Sequence, residues 1–125
     1  MATILLIDDD ELVRITVRRI LESASHTVIE ARNGNEGLEL VRAVPLDLII
    51  TDIIMPEREG IETIMEIRKL NTKIGIVAIS GGGRAQAMDF LPLARKLGAD
   101  QILRKPFSPD ELLEVTDLTL RGTIL

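Results

Sequence analysis

The chain has no cysteine, tryptophan or tyrosine, a single histidine, and only two aromatic rings, Phe90 and Phe107, in 125 residues. Without cysteine there is no disulfide framework, no thiolate nucleophile and no cysteine-bound zinc. One histidine excludes a histidine-rich metal centre. So few rings argue against a base-stacking platform for nucleic acid. No apolar run approaches the ~20 residues of a membrane span, and Asp8 arrives too early for a signal peptide. An excess of cations is missing too. Fifteen Lys and Arg against twenty Asp and Glu leave a net charge of −5, which argues against general binding to nucleic acid or anionic membrane. What is present is 46% hydrophobic and nearly all aliphatic, too apolar for disorder. The length suits one domain with a core that needs no staples. The expectation is one soluble, cytoplasmic domain over residues 1–125, with no effector domain in the chain.

Short aliphatic runs alternate with longer segments of helical period. Thr3–Ile7 reads as a strand ending at Asp8-Asp9-Asp10. Leu12, Val13, Thr16, Val17, Ile20 and Leu21 then recur at helical spacing over Asp10–Ser23. Thr27–Ala31 is a second strand. Asn33-Gly34 is turn chemistry before a helix over Asn35–Ala43, which Pro45 closes. Gly37 inside that helix costs it about 1 kcal/mol relative to alanine. Leu46–Thr51 is a third strand ending at Asp52, and a helix over Glu59–Leu70 follows, with Asn71 suited to a left-handed cap. Ile74–Ile79 is a fourth strand ending at Ser80. Gly81-Gly82-Gly83 and a helix over Ala85–Leu97 come next. Gln101–Leu103 is a short fifth strand, followed by Arg104, Lys105 and Pro106. Ser108-Pro109-Asp110-Glu111 is a capping box that opens a last helix reaching Leu120. Five units are too few for an eight-fold barrel. Aliphatic strands separated by helices predict a parallel sheet covered on both faces. The fold class is therefore α/β, a (βα)5 doubly wound five-stranded sheet of flavodoxin-like order 2-1-3-4-5.

Ligands of such a sheet bind beyond the carboxyl ends of its strands. The order 2-1-3-4-5 makes the first, third, fourth and fifth strands consecutive, so Asp8, Asp9, Asp52, Ser80 and Lys105 converge on one shallow site. Carboxylates from adjacent strands repel one another unless a cation lies between them. Oxygen donors with no imidazole or thiolate suit Mg²⁺ or Mn²⁺, and Mg²⁺ sits on one or two carboxylates plus phosphate oxygens. Lys105 and Ser80 then read as donors to such a phosphate. Asp10 is set apart as the N-cap of the first helix.

The stretches Ile4-Leu5-Leu6-Ile7-Asp8-Asp9-Asp10, Asp47 to Pro56 with Gly60, Ile76-Val77-Ala78-Ile79-Ser80 and Lys105-Pro106-Phe107 together resemble the receiver domain of two-component response regulators. The resemblance spans almost the whole chain. It implies that Asp52 takes a phosphoryl group from a histidine kinase or phosphotransfer protein in a Mg²⁺-dependent (or Mn²⁺-dependent) reaction. Asp9 is then a direct metal ligand, with Asp52 and the main-chain carbonyl of Ile54, and Asp8 binds the metal through water. The Ser80 hydroxyl moves onto the phosphoryl group, and Lys105 contacts its oxygens. The resemblance also implies a cis Lys105-Pro106 bond. Output is expected through partner binding at the face of strand 4, helix 4 and strand 5, by a monomer or weak dimer that binds neither nucleic acid nor membrane directly. Such a protein is no enzyme toward other substrates and catalyses only its own phosphorylation and dephosphorylation.

Three positions depart from the family pattern. Ile102 stands where Tyr or Phe is usual, Ser80 where Thr is more frequent, and Gly81–Gly83 where bulkier residues are usual. Ile102 is too small to act as an aromatic switch, so the signal is expected to leave through Ser80–Arg84, whose glycines permit large backbone changes. Two other readings remain. Asp8-x-Asp10 resembles the haloacid dehalogenase phosphatase motif, although Leu12 stands where that motif has Thr or Val. A pseudo-receiver would use the fold for binding alone. His26 reads as a polar loop residue at the end of the sheet away from the acids. No Lys-Ser/Thr pair follows the glycine run, so it is no phosphate loop. Arg84, Arg95, Lys96 and Arg104, with Asp110, Glu111 and Glu114, read as a charged face.

Overall fold

The computed structural model describes residues 1–53, 59–70, 73–81 and 91–122. Its elements are β1 (Thr3–Ile7), α1 (Glu11–Ser23), β2 (Thr27–Ala31), α2 (Gly34–Ala43), β3 (Leu48–Asp52), α3 (Glu59–Leu70), β4 (Gly75–Gly81), α4 (Leu91–Leu97), β5 (Gln101–Lys105) and α5 (Pro109–Arg121). The carbonyl of Ile54, the cap at Asn71, and Gly82, Gly83 and Arg84 of the glycine segment lie outside the described residues. So does the stretch 85–90 expected to begin the fourth helix.

All strand pairs are parallel, in the order β2-β1-β3-β4-β5. The aliphatic runs make this arrangement possible, because alternate residues bury on opposite faces of the same sheet. Leu5, Ile7, Ile49, Ile76 and Ala78 meet Ile64 and Ile67 of α3 and Ala94 of α4 on one face. Ile4, Leu6, Leu48, Ile50, Val77 and Ile79 meet Val17 and Leu21 of α1 and Leu112 of α5 on the other. The expected boundaries of β1, β2 and α3 stand.

Other edges move, each for a local reason. β3 begins at Leu48 rather than Leu46, because Asp47 is occupied elsewhere. Its carboxylate accepts from the Thr3 N–H at 2.8 Å, and its own N–H donates to the Thr3 carbonyl at 2.8 Å. β4 runs on through Ser80 to Gly81. β5 continues to Lys105, so Arg104 and Lys105 pair with Ser80 and Gly81 within the ladder instead of following it. The charges are tolerated there because Arg104 is exposed and Lys105 meets carboxylates. In α1 the inward face is Arg14, Val17 and Leu21, whereas Leu12 is 71% exposed and Thr16 faces solvent.

Helix ends follow their caps. Asp10 accepts from the N–H groups of Leu12 and Val13, as its position predicts. Asn33 accepts from the Glu36 N–H, so α2 starts one residue early at Gly34. Ser108 and Glu111 form the reciprocal capping box, and α5 closes on Gly122 at φ 79°. At the amino ends of the strands, Arg68 of α3 donates to the carbonyls of Gly98 and Ile74 at 2.9 and 2.6 Å and pairs with Asp100 at 2.8 Å.

Candidate functional site

The carboxyl ends of the central strands carry the polar residues. Ile7 pairs with Thr51, so the residues just beyond, Asp8 and Asp52, lie side by side on β1 and β3. Alternation along the strands puts Asp8, Asp52 and Lys105 on the sheet face shared by Leu6, Ile50 and Leu103. One carboxylate oxygen from each of Asp8, Asp9 and Asp52 lies within 4.8 Å of the others. Lys105 Nζ stands 3.4 Å from Asp8 Oδ2 and 3.5 Å from Asp52 Oδ2. The Lys105-Pro106 bond is cis, as the resemblance implies.

Asp8 is fully buried, Asp52 is nearly so, and Asp9 is exposed. Burial pushes the Asp8 carboxyl above the ordinary carboxylate range. The Asp10 N–H, which donates to Asp8 Oδ1 at 2.9 Å, and the Lys105 ammonium both oppose that rise. Among the described residues, three carboxylates meet one ammonium in a partly dry pocket, which leaves the cluster short of positive charge. With only oxygen donors, the set fits a hard divalent cation such as Mg²⁺.

Ser80 is buried in β4, opposite Arg104 and next to Gly81, the partner of Lys105. Alternation puts it on the face of Ala78, and among the described residues no hydrogen bond joins it to the three acids or to Lys105. Ile102 is half-buried against the core on the α3–α4 side. Arg95, Lys96, Arg104, Asp110, Glu111 and Glu114 are exposed. His26 lies at the other end of the sheet, where its Nδ1 accepts from the Ala2 N–H at 3.2 Å.

One residue at the site escapes a reading by composition and motif. Arg14 Nη1 donates to the main-chain carbonyl of Asp8 at 2.7 Å. The available signal is its place at the head of the buried series 14, 17, 21 on α1, where a charge needs partners.

The sequence profile of the response regulator receiver domain matches residues 4–117. The chain is similar to the chemotaxis protein CheY of Halobacterium salinarum, 35% identical over 111 residues that cover 89% of this chain and 90% of that one. It is similar to the nitrate/nitrite response regulator protein NarL of Escherichia coli at 33% identity, covering 99% of this chain but only 57% of NarL. A solved response regulator receiver domain protein from Clostridium thermocellum superposes with a TM-score of 0.87 at 29% identity, over 98% of this chain and 96% of that one. Among the described residues no helix is long and apolar enough to cross a membrane.

Proposed function

The chain belongs to the response regulator receiver domain family, and from that membership we propose that it is a phosphorylation-dependent switch whose acceptor is Asp52. Receiver domains are signalling modules rather than classical enzymes. The observation that carries the reading is the convergence of Asp8, Asp9 and Asp52 with Lys105 at the carboxyl ends of β1, β3 and β5.

A carboxylate oxygen of Asp52 attacks the phosphorus of a phosphohistidine on a kinase or phosphotransfer protein. The P–N bond breaks, its electron pair stays on the imidazole nitrogen, and an acyl phosphate forms. Little covalent help is needed beyond alignment and charge neutralisation. Asp8, Asp9 and Asp52, with the Ile54 carbonyl, would hold Mg²⁺ or Mn²⁺. When bound, that cation neutralises charge on the phosphoryl oxygens. Lys105 directs its ammonium to the same oxygens, and Ser80 supplies a hydroxyl from β4. Residues 1–125 act as one cytoplasmic receiver unit, a monomer or weak dimer. Its output runs through the β4–α4–β5 face, where Ile102 is too small to act as an aromatic switch.

The test is incubation with a small phosphodonor and Mg²⁺, read by intact mass. The unaltered chain gains one phosphoryl group. Asp52→Asn gains none and keeps its fold, and chelation abolishes the gain. Full labelling of Asp52→Asn, or a label on Asp8, overturns the assignment in favour of phosphatase-type chemistry.

A further inference from the structure

Arg14 is a cation on the buried face of α1, only 8% exposed. A guanidinium so placed must have its donors met. Its two arms reach in different directions. Nη1 donates to the Asp8 carbonyl at 2.7 Å, and Nε donates to Glu30 Oε1 at 3.0 Å. Glu30 lies on β2, and its second oxygen accepts from Arg18 Nη1 at 2.6 Å. Arg18 is in turn paired with Glu22 at 2.9 Å. A chain of charges therefore runs from the surface of α1, across β2, to the end of β1.

The carbonyl held by Arg14 belongs to the peptide joining Asp8 to Asp9. That unit is planar, so fixing its oxygen fixes the plane from which Asp9 departs. Asp8 is already held at its other polar points. Its N–H donates to the Ala31 carbonyl at 3.1 Å, Oδ1 accepts from Asp10, and Oδ2 meets Lys105. Asp9 is exposed and takes part in none of these bonds, so its direction rests on the backbone.

We infer that Arg14 is a positioning residue for the metal site, gripping the Asp8 carbonyl while braced on Glu30, so that Asp8 and Asp9 both face Asp52. The inference rests on reading the three acids as a Mg²⁺ site. Two effects of Arg14 oppose each other. As a nearby positive charge it weakens binding of a divalent cation, and as a brace it strengthens binding. Removing it therefore separates the two by sign.

Arg14→Met keeps the apolar stem and removes the fork. Mg²⁺ is added without phosphodonor, and binding is followed through the backbone amide signals of Asp9 and Asp10. The Mg²⁺ dissociation constant is expected to rise about tenfold, the low end of the loss that outer partners of metal ligands cause. Arg14→Lys keeps the charge but cannot bridge both partners, so its binding shifts in the same direction. Unchanged or tighter binding in Arg14→Met, or wild-type binding in Arg14→Lys, overturns the inference. If Arg14→Met fails to fold, Arg14→Lys decides alone. Mass labelling of the unaltered chain runs alongside. A chain that binds Mg²⁺ and is labelled, with variants that bind equally well, sinks the role of Arg14 alone. An unaltered chain that binds no Mg²⁺ sinks the site reading and the inference together.

Discussion

Thr116 and Arg14 are both polar and both buried, yet they stand at opposite extremes. Arg14 has partners at both Nε and Nη1. The Thr116 hydroxyl has none among the described residues, although it lies on the fully buried face of α5 near Leu112. Thr119, on the same helix, donates to the Val115 carbonyl at 2.7 Å. A buried polar atom left unpaired costs about 1–3 kcal/mol. Thr116→Val keeps the branched shape and removes the oxygen, so it is expected to stabilise the chain by about 1 kcal/mol. Urea denaturation should show a higher midpoint at an unchanged slope, and a lower midpoint would mean that the hydroxyl has found a partner.

Glycine inside a helix is a cost in α2 that packing explains. A Cβ built on Gly37 would run into Ile7 Cδ1, which belongs to the fully buried end of β1. Gly37→Ala therefore gains helix propensity and loses fit. The strain of overpacking, about 1–3 kcal/mol, exceeds the gain of about 1 kcal/mol. A net loss of about 1 kcal/mol is expected in thermal or chemical unfolding, and a stabilised variant would show that α2 can step back from β1. The element scale also shows what a sequence displays and what it hides. Strand order and the helix caps at Asp10 and Ser108 were legible because aliphatic runs and capping chemistry are local. The acid cluster was legible because the topology brings strand ends together. The extent of β5 was not, since Arg104 and Lys105 look like the end of a strand until their partners across the sheet are known. The inward face of α1 is only partly displayed by its spacing: Val17 and Leu21 are buried, Leu12 fits the same stripe yet is exposed, and Arg14 belongs inside only because the Asp8 carbonyl and Glu30 await it.

Across the whole molecule the sheet separates two kinds of work. Its carboxyl edge gathers like charges, and its amino edge is tied down by Arg68, Asp47 and His26. His26 accepts a hydrogen bond through Nδ1, so the fold needs that nitrogen free of a proton. Burial, and then the positive amino terminus, push the imidazole below its ordinary pKa, while Asp117 pulls the other way. A depressed imidazole contributes stability fully above the unfolded value, about 6.5, and loses it as the pH falls through that value toward the folded one. His26→Asn presents an oxygen where Nδ1 stood and does not titrate. The difference in Tm between the two chains should therefore open between about pH 7 and pH 5, and parallel curves would contradict the role. The carboxyl edge has a different schedule. Lys105 follows Asp8 by 97 residues and Asp52 by 53, and it arrives on the strand that joins the sheet at its border. A ribosome thus delivers every acid of the cluster well before their common counter-charge. Until β5 docks, a nascent or truncated chain holds mutually repelling carboxylates beside an open β4 edge. The ammonium that Asp8 and Asp52 share thus comes only with β5, the last strand in the chain, so a chain cut short of it lacks the counter-charge of its own carboxylates.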